Sequence, residues 1–301
     1  MGKIISGFCG AVGLFLASSA FAGGLSDGLL LHYTFDRDEG PVLTDASGSG
    51  RFGWAHGATW VADGARGGGC RFDSNRQYIV ADDAGLPSGD APRTMALWIK
   101  LDKLAPDPVT ALLTYGQGSW NHMSGIGLDW RVGRANLYFT QHGGVALSEW
   151  RMEKPGSWHH LACVYEGKGR HRFYVDGRPG DGMSELQGPI DTRLSGAVIV
   201  GADPTGTGPA GGVLDDVRIY GRALSEKEVA ELAAPEKPTG PVVHYTFDHD
   251  EGGIVTDASG NGRTAKVDGA TWVKDGARGG AYRFDDNSQV ITAPDAGLPS
   301  G

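Results

Sequence analysis

No run of lysine or arginine occurs anywhere in the chain, and its formal net charge is −9, or −10 once Lys3 is set aside with the N-terminal leader described below. Nucleic acid and anionic membrane are therefore poor partners, since both are held by clustered positive charge. Beyond the N-terminus no apolar stretch is long enough to cross a bilayer. Cysteine is scarce, and apart from Cys9 only Cys70 and Cys163 are present. Motifs of catalysis are missing as well. The nine histidines form no H-E-x-x-H, no G-x-S-x-G elbow is present, and Gly67-Gly68-Gly69 leads into a strand rather than a phosphate loop. Two carboxylates working on a glycosidic bond need a shared face, whereas Asp215 and Asp216 are adjacent and alternate. Enzymatic activity is not expected.

Glycine is what the chain has in abundance, fifty residues with fifteen prolines, interspersed with β-branched and aromatic runs. That mixture suits short strands joined by tight turns. Residues 1–22 read as a secretory signal: Lys3 supplies the positive start, Ile4–Leu16 the short apolar region and Ala20-Phe21-Ala22 the cleavage site. The mature chain is thus expected to be secreted, periplasmic or at the cell surface. In that oxidising setting Cys70 and Cys163, each in strand-like sequence, either form a disulfide or stay as two buried thiols.

An internal repeat organises the rest. His32–Gly89 returns as His244–Gly301 at a constant offset of 212, identical at 40 of 58 positions without insertion or deletion. The second copy holds Tyr282 in place of Cys70, so the repeated fold does not demand a bridge there. Nothing after Gly301 matches 90–232, which predicts a domain over 27–232, a Pro-rich linker over 233–242 and an incomplete second copy over 243–301. The plain expectation is a piece of a longer tandem-module protein; the sharper one is strand addition to another molecule.

Strands are predicted at Leu29–Phe35, Gly57–Trp60, Cys70–Phe72, Tyr78–Ala81, Thr94–Leu101, Ala111–Tyr115, Gly127–Arg131, Asn136–Gln141, Ala197–Gly201 and Val213–Tyr220. His160–Tyr165 and His171–Val175 form a hairpin. Ser225 and Glu228 make a capping box for one short helix, with Leu224 stapling to Val229 and Pro235 ending it. Trp98 and Trp158, in apolar strands, are expected in the core.

The succession YTFD, DASGSG, ALWIK, SWHHLACVYEG, FYVDG and LDDVRIYGRALSEKEVAEL resembles the laminin-G-like jelly-roll family of the concanavalin A-like lectin/glucanase superfamily, over about Leu29–Leu232. The resemblance implies an all-β sandwich of two antiparallel sheets with first and last strands paired, one short C-terminal helix, and a carbohydrate- or protein-binding role. The glucanases of that superfamily carry an E-x-D-x-x-E strand, which this chain lacks. Superfamily members often hold calcium near the paired first and last strands. Asp36, Asp215 and Asp216, with Asp45 in the DASGSG loop, are the candidate ligands, and turn hydrogen bonding is the alternative use of the same side chains.

For sugar, exposed aromatics with polar neighbours matter most. Trp120, Asn121 and His122 sit in a Gly/Ser loop, and Trp130 and Trp150 stand near loop edges; rim or core packing is the alternative for each. Trp60 recurs as Trp272 and is expected to serve the repeated fold, while Trp54 becomes Lys266 and is either peripheral or particular to the first copy. The expected partner is an extracellular polysaccharide or glycan; the alternative is another extracellular protein in an adhesive array.

Overall fold

Met95, Leu97, Ile99 and Leu101 alternate with Ala96, Trp98 and Lys100, and all four are fully buried. Period two places them on one strand face, and the rest of the first unit is assembled around that face. The computed structural model describes residues 24–102, 109–119, 122–129, 136–141, 144–147, 155–180, 184–185, 188–203, 210–235, 243–259 and 262–293. Residues 1–22, expected as a signal, and most of the expected linker 233–242 lie outside them. The chain divides into two units, Met1–Ala234 and Pro235–Gly301.

In the first unit the strands are β1 (Leu29–Tyr33), β2 (Val42–Leu43), β3 (Gly53–His56), β4 (Thr59–Val61), β5 (Gly69–Phe72), β6 (Tyr78–Ala81), β7 (Arg93–Leu101), β8 (Val109–Gly116) and β9 (Met123–Asp129). They continue with β10 (Asn136–Gln141), β11 (Gly144–Leu147), β12 (Trp158–Gly167), β13 (Arg170–Val175), β14 (Arg178–Pro179), β15 (Ser184–Glu185), β16 (Val198–Val200) and β17 (Gly212–Tyr220), followed by helix α1 (Glu226–Ala233). One sheet runs β14-β13-β12-β7-β17-β5-β4, with β1 also on β17 and β15 on β13; the other runs β11-β10-β9-β8-β16-β6-β3-β2. The first and last strands pair antiparallel, Leu31 opposite Ile219 and Tyr33 opposite Val217. The fold is the all-β antiparallel sandwich that the alternation implies.

Residues in register across each sheet form the core. Leu31, Ile219, Met95, Cys163 and Phe173 lie in one row of the first sheet, and Ile79, Val200, Leu113 and Ile126 in one row of the second; all belong to one buried cluster. Each such side chain contributes roughly 1.5–3 kcal/mol. At one end the fully buried Arg93 reaches from β7 to the second sheet, donating to Tyr115 Oη (2.8 Å), Ser124 Oγ (2.9 Å) and Thr192 Oγ1 (2.8 Å). Its remaining donors meet the carbonyls of Pro87, Gly89 and Ala91, so none of its charge-bearing nitrogens is wasted in the apolar interior.

Helix α1 covers the outer face of the first sheet, with Val229 and Leu232 on Ala96, Ala162 and Tyr220. Its capping box is formed: Ser225 Oγ accepts from the Glu228 amide and Glu228 Oε2 accepts from the Ser225 amide. Trp98 and Trp158 depart from expectation. They face away from the core and are half-buried on this outer side, Trp98 edge-on to His160 and Trp158 under the Lys100 ammonium, because both alternate out of phase with the core row.

The disulfide is corrected. Cys70 and Cys163 are both free and buried. Cys70 lies on β5 and Cys163 on β12, with β17 and β7 between them. Three strand spacings of ~4.8 Å amount to roughly 14 Å, against a limit of ~7 Å between Cα atoms for a bridge. Burial instead pushes the Cys70 thiol up to about 12 and raises that of Cys163.

At the junction of β1 and β5 along β17, the strand bulges. Asp216 has φ +49°, and the register with β7 slips between Asp215 and Arg218. Asp216 Oδ1 accepts from His32 Nε2 (2.6 Å) and Arg218 Nη2 (2.8 Å), while Oδ2 accepts from Arg66 Nη1 (2.8 Å). Arg66 also donates from Nη2 to the carbonyls of Leu232 (2.5 Å) and Ala234 (2.6 Å), tying down the C-terminus of α1. Asp215 accepts from the amides of Arg66 (2.8 Å) and Asp216 (2.6 Å). Burial raises the Asp216 carboxyl, but the His32 hydrogen bond and the charges of Arg218 and Arg66 outweigh it and hold it well below the usual range. Burial, helped by the charge on Asp216, pushes Asp215 up to about 7.

In the second unit, β18 (Ile254–Val255), β19 (Ala265–Asp268) and β22 (Val290–Thr292) form one sheet, and β20 (Thr271–Gly276) and β21 (Gly279–Arg283) another. By the offset of 212 these correspond to β2, β3, β6, β4 and β5. Phe284, the counterpart of the fully buried Phe72, is 51% exposed.

Arg66→Ala removes one of the cations around Asp216 and frees two helix-end carbonyls; a loss of about 2–3 kcal/mol in urea unfolding is expected. pH dependence gives a second check. Ionising Asp215 is costly in the fold, so stability falls as pH rises from the ordinary carboxylate value to about 7, and Asp215→Asn gains on the parent across that interval. Burial lowers His160 to about 4, so the parent loses stability as pH falls from about 6.5 to 4, and His160→Asn gains on the parent in that direction. Urea midpoints at several pH values measure both slopes.

Candidate functional site

The chain crosses from the first sheet to the second between β1 and β2, and this crossover is stiffened by its own side chains. Phe35 takes a left-handed backbone (φ +54°), unusual for a bulky residue, and its carbonyl accepts from Trp60 Nε1 (2.7 Å). Thr44 N donates to Glu39 Oε2 (2.5 Å), and Arg37 Nε donates to Glu39 Oε1 (2.9 Å). Asp45 is buried and receives four donors: the amides of His32, Ser47 and Arg51 and the Ser47 hydroxyl. A cavity of about 300 Å³ opens beside this crossover, lined among others by Phe35, Asp36, Glu39, Leu43 and Thr44.

The candidate calcium ligands are not brought together. Asp45 is occupied by turn and strand amides, Asp215 by two further amides, and Asp216 by a histidine and two guanidinium groups. A cation among these would displace donors that the fold already uses, so the residues present do not fit one there. Among the described residues no three His, Cys, Asp or Glu side chains are grouped to hold a metal. Asp36 is exposed, and its carboxylate has no hydrogen-bond partner among the described residues.

A surface that the sequence reading passed over lies on the second sheet. β3 brings Phe52, Trp54 and His56 to the side away from the core, since the intervening Gly53 and Ala55 face inward. Phe52 is 48% and Trp54 51% exposed, and His56 is exposed and stacks on Tyr78 of β6 at 4.7 Å between ring centroids. Trp54 pairs with Val42 on the edge strand β2 and Val80 on β6. Beyond Val80 the same row runs through Ile199 and Thr114 to Gly125. Spaced about 6.8 Å apart along the strand, the three rings make a stripe open to solvent. The signal was present as F-x-W-x-H with period two. No strand is expected at Gly53–His56 from the sequence, whereas the strand expected at Gly57–Trp60 overlaps β4.

Trp120, Asn121, Trp130 and Trp150 lie outside the described residues. His122 is half-buried, its Nδ1 shares a hydrogen bond with Ser119 Oγ (3.0 Å), and its Nε2 is 3.4 Å from Asp191 Oδ2. The β8–β9 turn that carries His122 leaves the second sheet at the end where Phe52 enters β3, as the register from Trp54 through Val80 and Ile199 to Thr114 requires. Trp60 serves the fold as expected, and Trp272 Nε1 makes the same bond to the Phe247 carbonyl (2.8 Å).

Among solved structures, the fold is similar to domain 4 of AbnA, a GH43 extracellular arabinanase from Geobacillus stearothermophilus determined with arabinotriose, at 23% identity over 68% of this chain and 98% of that one, TM-score 0.53. It is also similar to the binding domain of Paraclostridial Mosquitocidal Protein 1, at 16% identity over 90% and 76%, TM-score 0.54. Trypanosoma rangeli sialidase, an enzyme, is matched at 18% identity over 68% of this chain and 33% of that one, TM-score 0.50. At these identities the likeness is one of fold. No curated protein sequence matches the chain. The laminin-G family model described as Concanavalin A-like lectin/glucanases superfamily matches residues 73–230, more than half of the chain and all within the first unit, and the chain belongs to that family.

Proposed function

We propose that this chain is a non-catalytic module that binds extracellular carbohydrate along the Phe52–Trp54–His56 stripe. The observation that carries the reading is the exposure of two large aromatic side chains on one strand face, where core packing gains nothing from them. Such rings offer flat apolar surface to the C–H faces of a sugar, with polar edges close by. Sheet geometry supports the location: the first sheet's outer face is covered by α1, whereas the stripe lies at the β2 edge of the second. A lectin-like family and a similar domain solved with arabinotriose make a glycan the partner to test first. The sugar contacts expected of Trp120, Asn121 and His122 from the sequence belong to the proposal as well. The secreted or cell-surface setting proposed from the leader suits the same ligand, and among the described residues no helix is long and apolar enough to cross a membrane.

Trp54→Ala is expected to weaken binding of the best ligand on a glycan array about thirtyfold, the equivalent of about 2 kcal/mol for a buried aromatic contact, and Phe52→Ala to weaken it by a smaller factor. Both variants should melt with the parent, since neither side chain is in the core. Binding that survives both substitutions moves the site elsewhere; absence of any glycan signal turns the stripe into a protein-docking surface. The bound polysaccharide should release no reducing ends on prolonged incubation with purified protein, and turnover would remove the non-catalytic part of the reading.

A further inference from the structure

The cavity beside Asp36 is separate from the stripe in kind: it is concave and lined by both polar and apolar residues. We propose that it is a second carbohydrate site taking a single sugar residue, and that the second unit carries its duplicate around Asp248. The sugar class rests on the reading given above; the existence and duplication of the site rest on the observations that follow.

The two copies of the repeat have diverged unevenly. Every ring of the stripe is replaced: Phe52 by Thr264, Trp54 by Lys266, His56 by Asp268 and Tyr78 by Val290. Around the cavity, Tyr33, Thr34, Phe35, Asp36, Glu39 and Thr44 all recur. Of the cavity's lining, Arg37 becomes His249, another nitrogen donor, and Leu43 becomes Val255, another apolar residue.

The recurrent residues also build the same local structure. Phe247 repeats the left-handed backbone at φ +56°. Tyr245 Oη donates to the Arg263 carbonyl (2.6 Å) as Tyr33 Oη does to that of Arg51 (2.8 Å), and the Thr256 amide donates to Glu251 Oε2 (3.0 Å) as that of Thr44 does to Glu39. Asp257 holds the His244, Ser259 and Arg263 amides as Asp45 holds its own.

These bonds explain why most of the polar residues recur, but they leave one out. Asp38 is used by the Gly40 amide, Glu39 by Thr44 and Arg37, and Asp45 by its four donors. The carboxylates of Asp36 and Asp248 accept from nothing described in either unit, yet both are kept. Gly67 and Gly279, whose left-handed backbones (φ +70° and +95°) call for glycine, lie close against these carboxylates in both units. An exposed carboxylate that accepts from no described group, repeated in both copies, is placed for an outside donor.

The chemistry of the lining selects that donor. An ionised carboxylate accepts hydrogen bonds from two neighbouring hydroxyls, the Thr34 and Thr44 hydroxyls can donate or accept, and the Phe35 and Leu43 side chains provide an apolar base for C–H groups. The volume of about 300 Å³ is at the small end for organic ligands and suits one sugar ring rather than a chain. A hard cation is the poorer match. It requires six to eight oxygens, and the Glu39 carboxylate is already held by an amide and a guanidinium, leaving Asp36 as the free charge.

Equilibrium dialysis of the full chain against labelled free monosaccharides (arabinose, xylose, galactose, glucose and N-acetylglucosamine, each alone) tests this in a Phe52→Ala, Trp54→Ala background, which takes both large rings from the stripe. Expected for one of these sugars is a plateau near two per chain, falling to one with Asp36→Asn and to none with Asp36→Asn and Asp248→Asn together. Neither aspartate makes a side-chain bond among the described residues, so unchanged melting temperatures confirm that folding is intact. A plateau of one that Asp36→Asn alone abolishes overturns the duplication. Capacity untouched by the double substitution, or no uptake of any monosaccharide, overturns the site; if the parent still binds an oligosaccharide through Trp54, the function proposed above stands without it. A melting temperature raised by calcium and returned to baseline by Asp36→Asn would show a cation site and overturn the sugar assignment.

Discussion

Closure of the sandwich depends on how Asp216 is held. β17 has two different neighbours on one edge, β5 and then β1, and at the changeover a continuous ladder is impossible. The bulge answers that geometry by putting two successive carboxylates where backbone pairing fails. Asp215 takes the amide of Arg66, which the ladder leaves over, and Asp216 faces a histidine and two guanidinium groups. Three segments distant in sequence are thereby fixed to one carboxylate: β1 through His32, the loop before β5 through Arg66, and the helix end through Arg66's other nitrogen. A charge at such a depth is tolerable only with that many partners, so the removal of any one of them is felt by the rest.

Once β1 and β5 are fixed, the neighbouring strand β3 has little freedom. A Cβ on Gly53 would lie 2.8 Å from Ile79 Cγ2 and 3.0 Å from the Tyr33 ring, so β3 rests closely on the core and its alternate residues must face outward. Phe52, Trp54 and His56 are exposed as a consequence of register, not of disorder at an edge. That is why the stripe is a plausible binding platform: rings held by a paired strand lose little freedom when a ligand arrives. In the second unit Ala265 occupies the corresponding position and the outward residues are Thr264, Lys266 and Asp268, so the same scaffold presents a different surface.

The fold was legible because its signals are local and mutually consistent. Alternation in Thr94–Leu101, the hairpin around Glu166–Gly169 and the Ser225–Glu228 capping box each point to the observed element, and the order of motifs points to the family. What escaped notice depends on tertiary context. Trp98 and Trp158 are apolar residues in apolar strands, and only the phase of the core row shows that they face the helix side. Cys70 and Cys163 both read as strand cysteines, and their separation follows from strand order, which no local pattern encodes. The β3 stripe was missed for the opposite reason: Gly53 looks like turn punctuation, as Gly57 is, while it lies within the strand and approaches the core closely.

The repeat sharpens the distinction between residues that make the scaffold and residues that use it. Phe72 and Phe284 are the same residue at the same repeat position, yet one is fully buried and the other half-exposed, so identity between copies does not imply identical surroundings. Hydrogen bonds of short reach behave differently. The Trp–carbonyl, Tyr–carbonyl and Asp–amide contacts are reproduced in the second unit almost distance for distance, because each joins residues within about 25 positions and needs no distant strand. Features built from such contacts travel with the segment wherever it is duplicated; features that need β7 or β17 do not. The hydrogen bonds of the crossover are of the first kind and the closed core of the second, while the stripe needs only the side chains that one copy has and the other lacks. Under the proposed function, recognition is decided by loop and strand-face residues free to change independently of the sandwich that carries them.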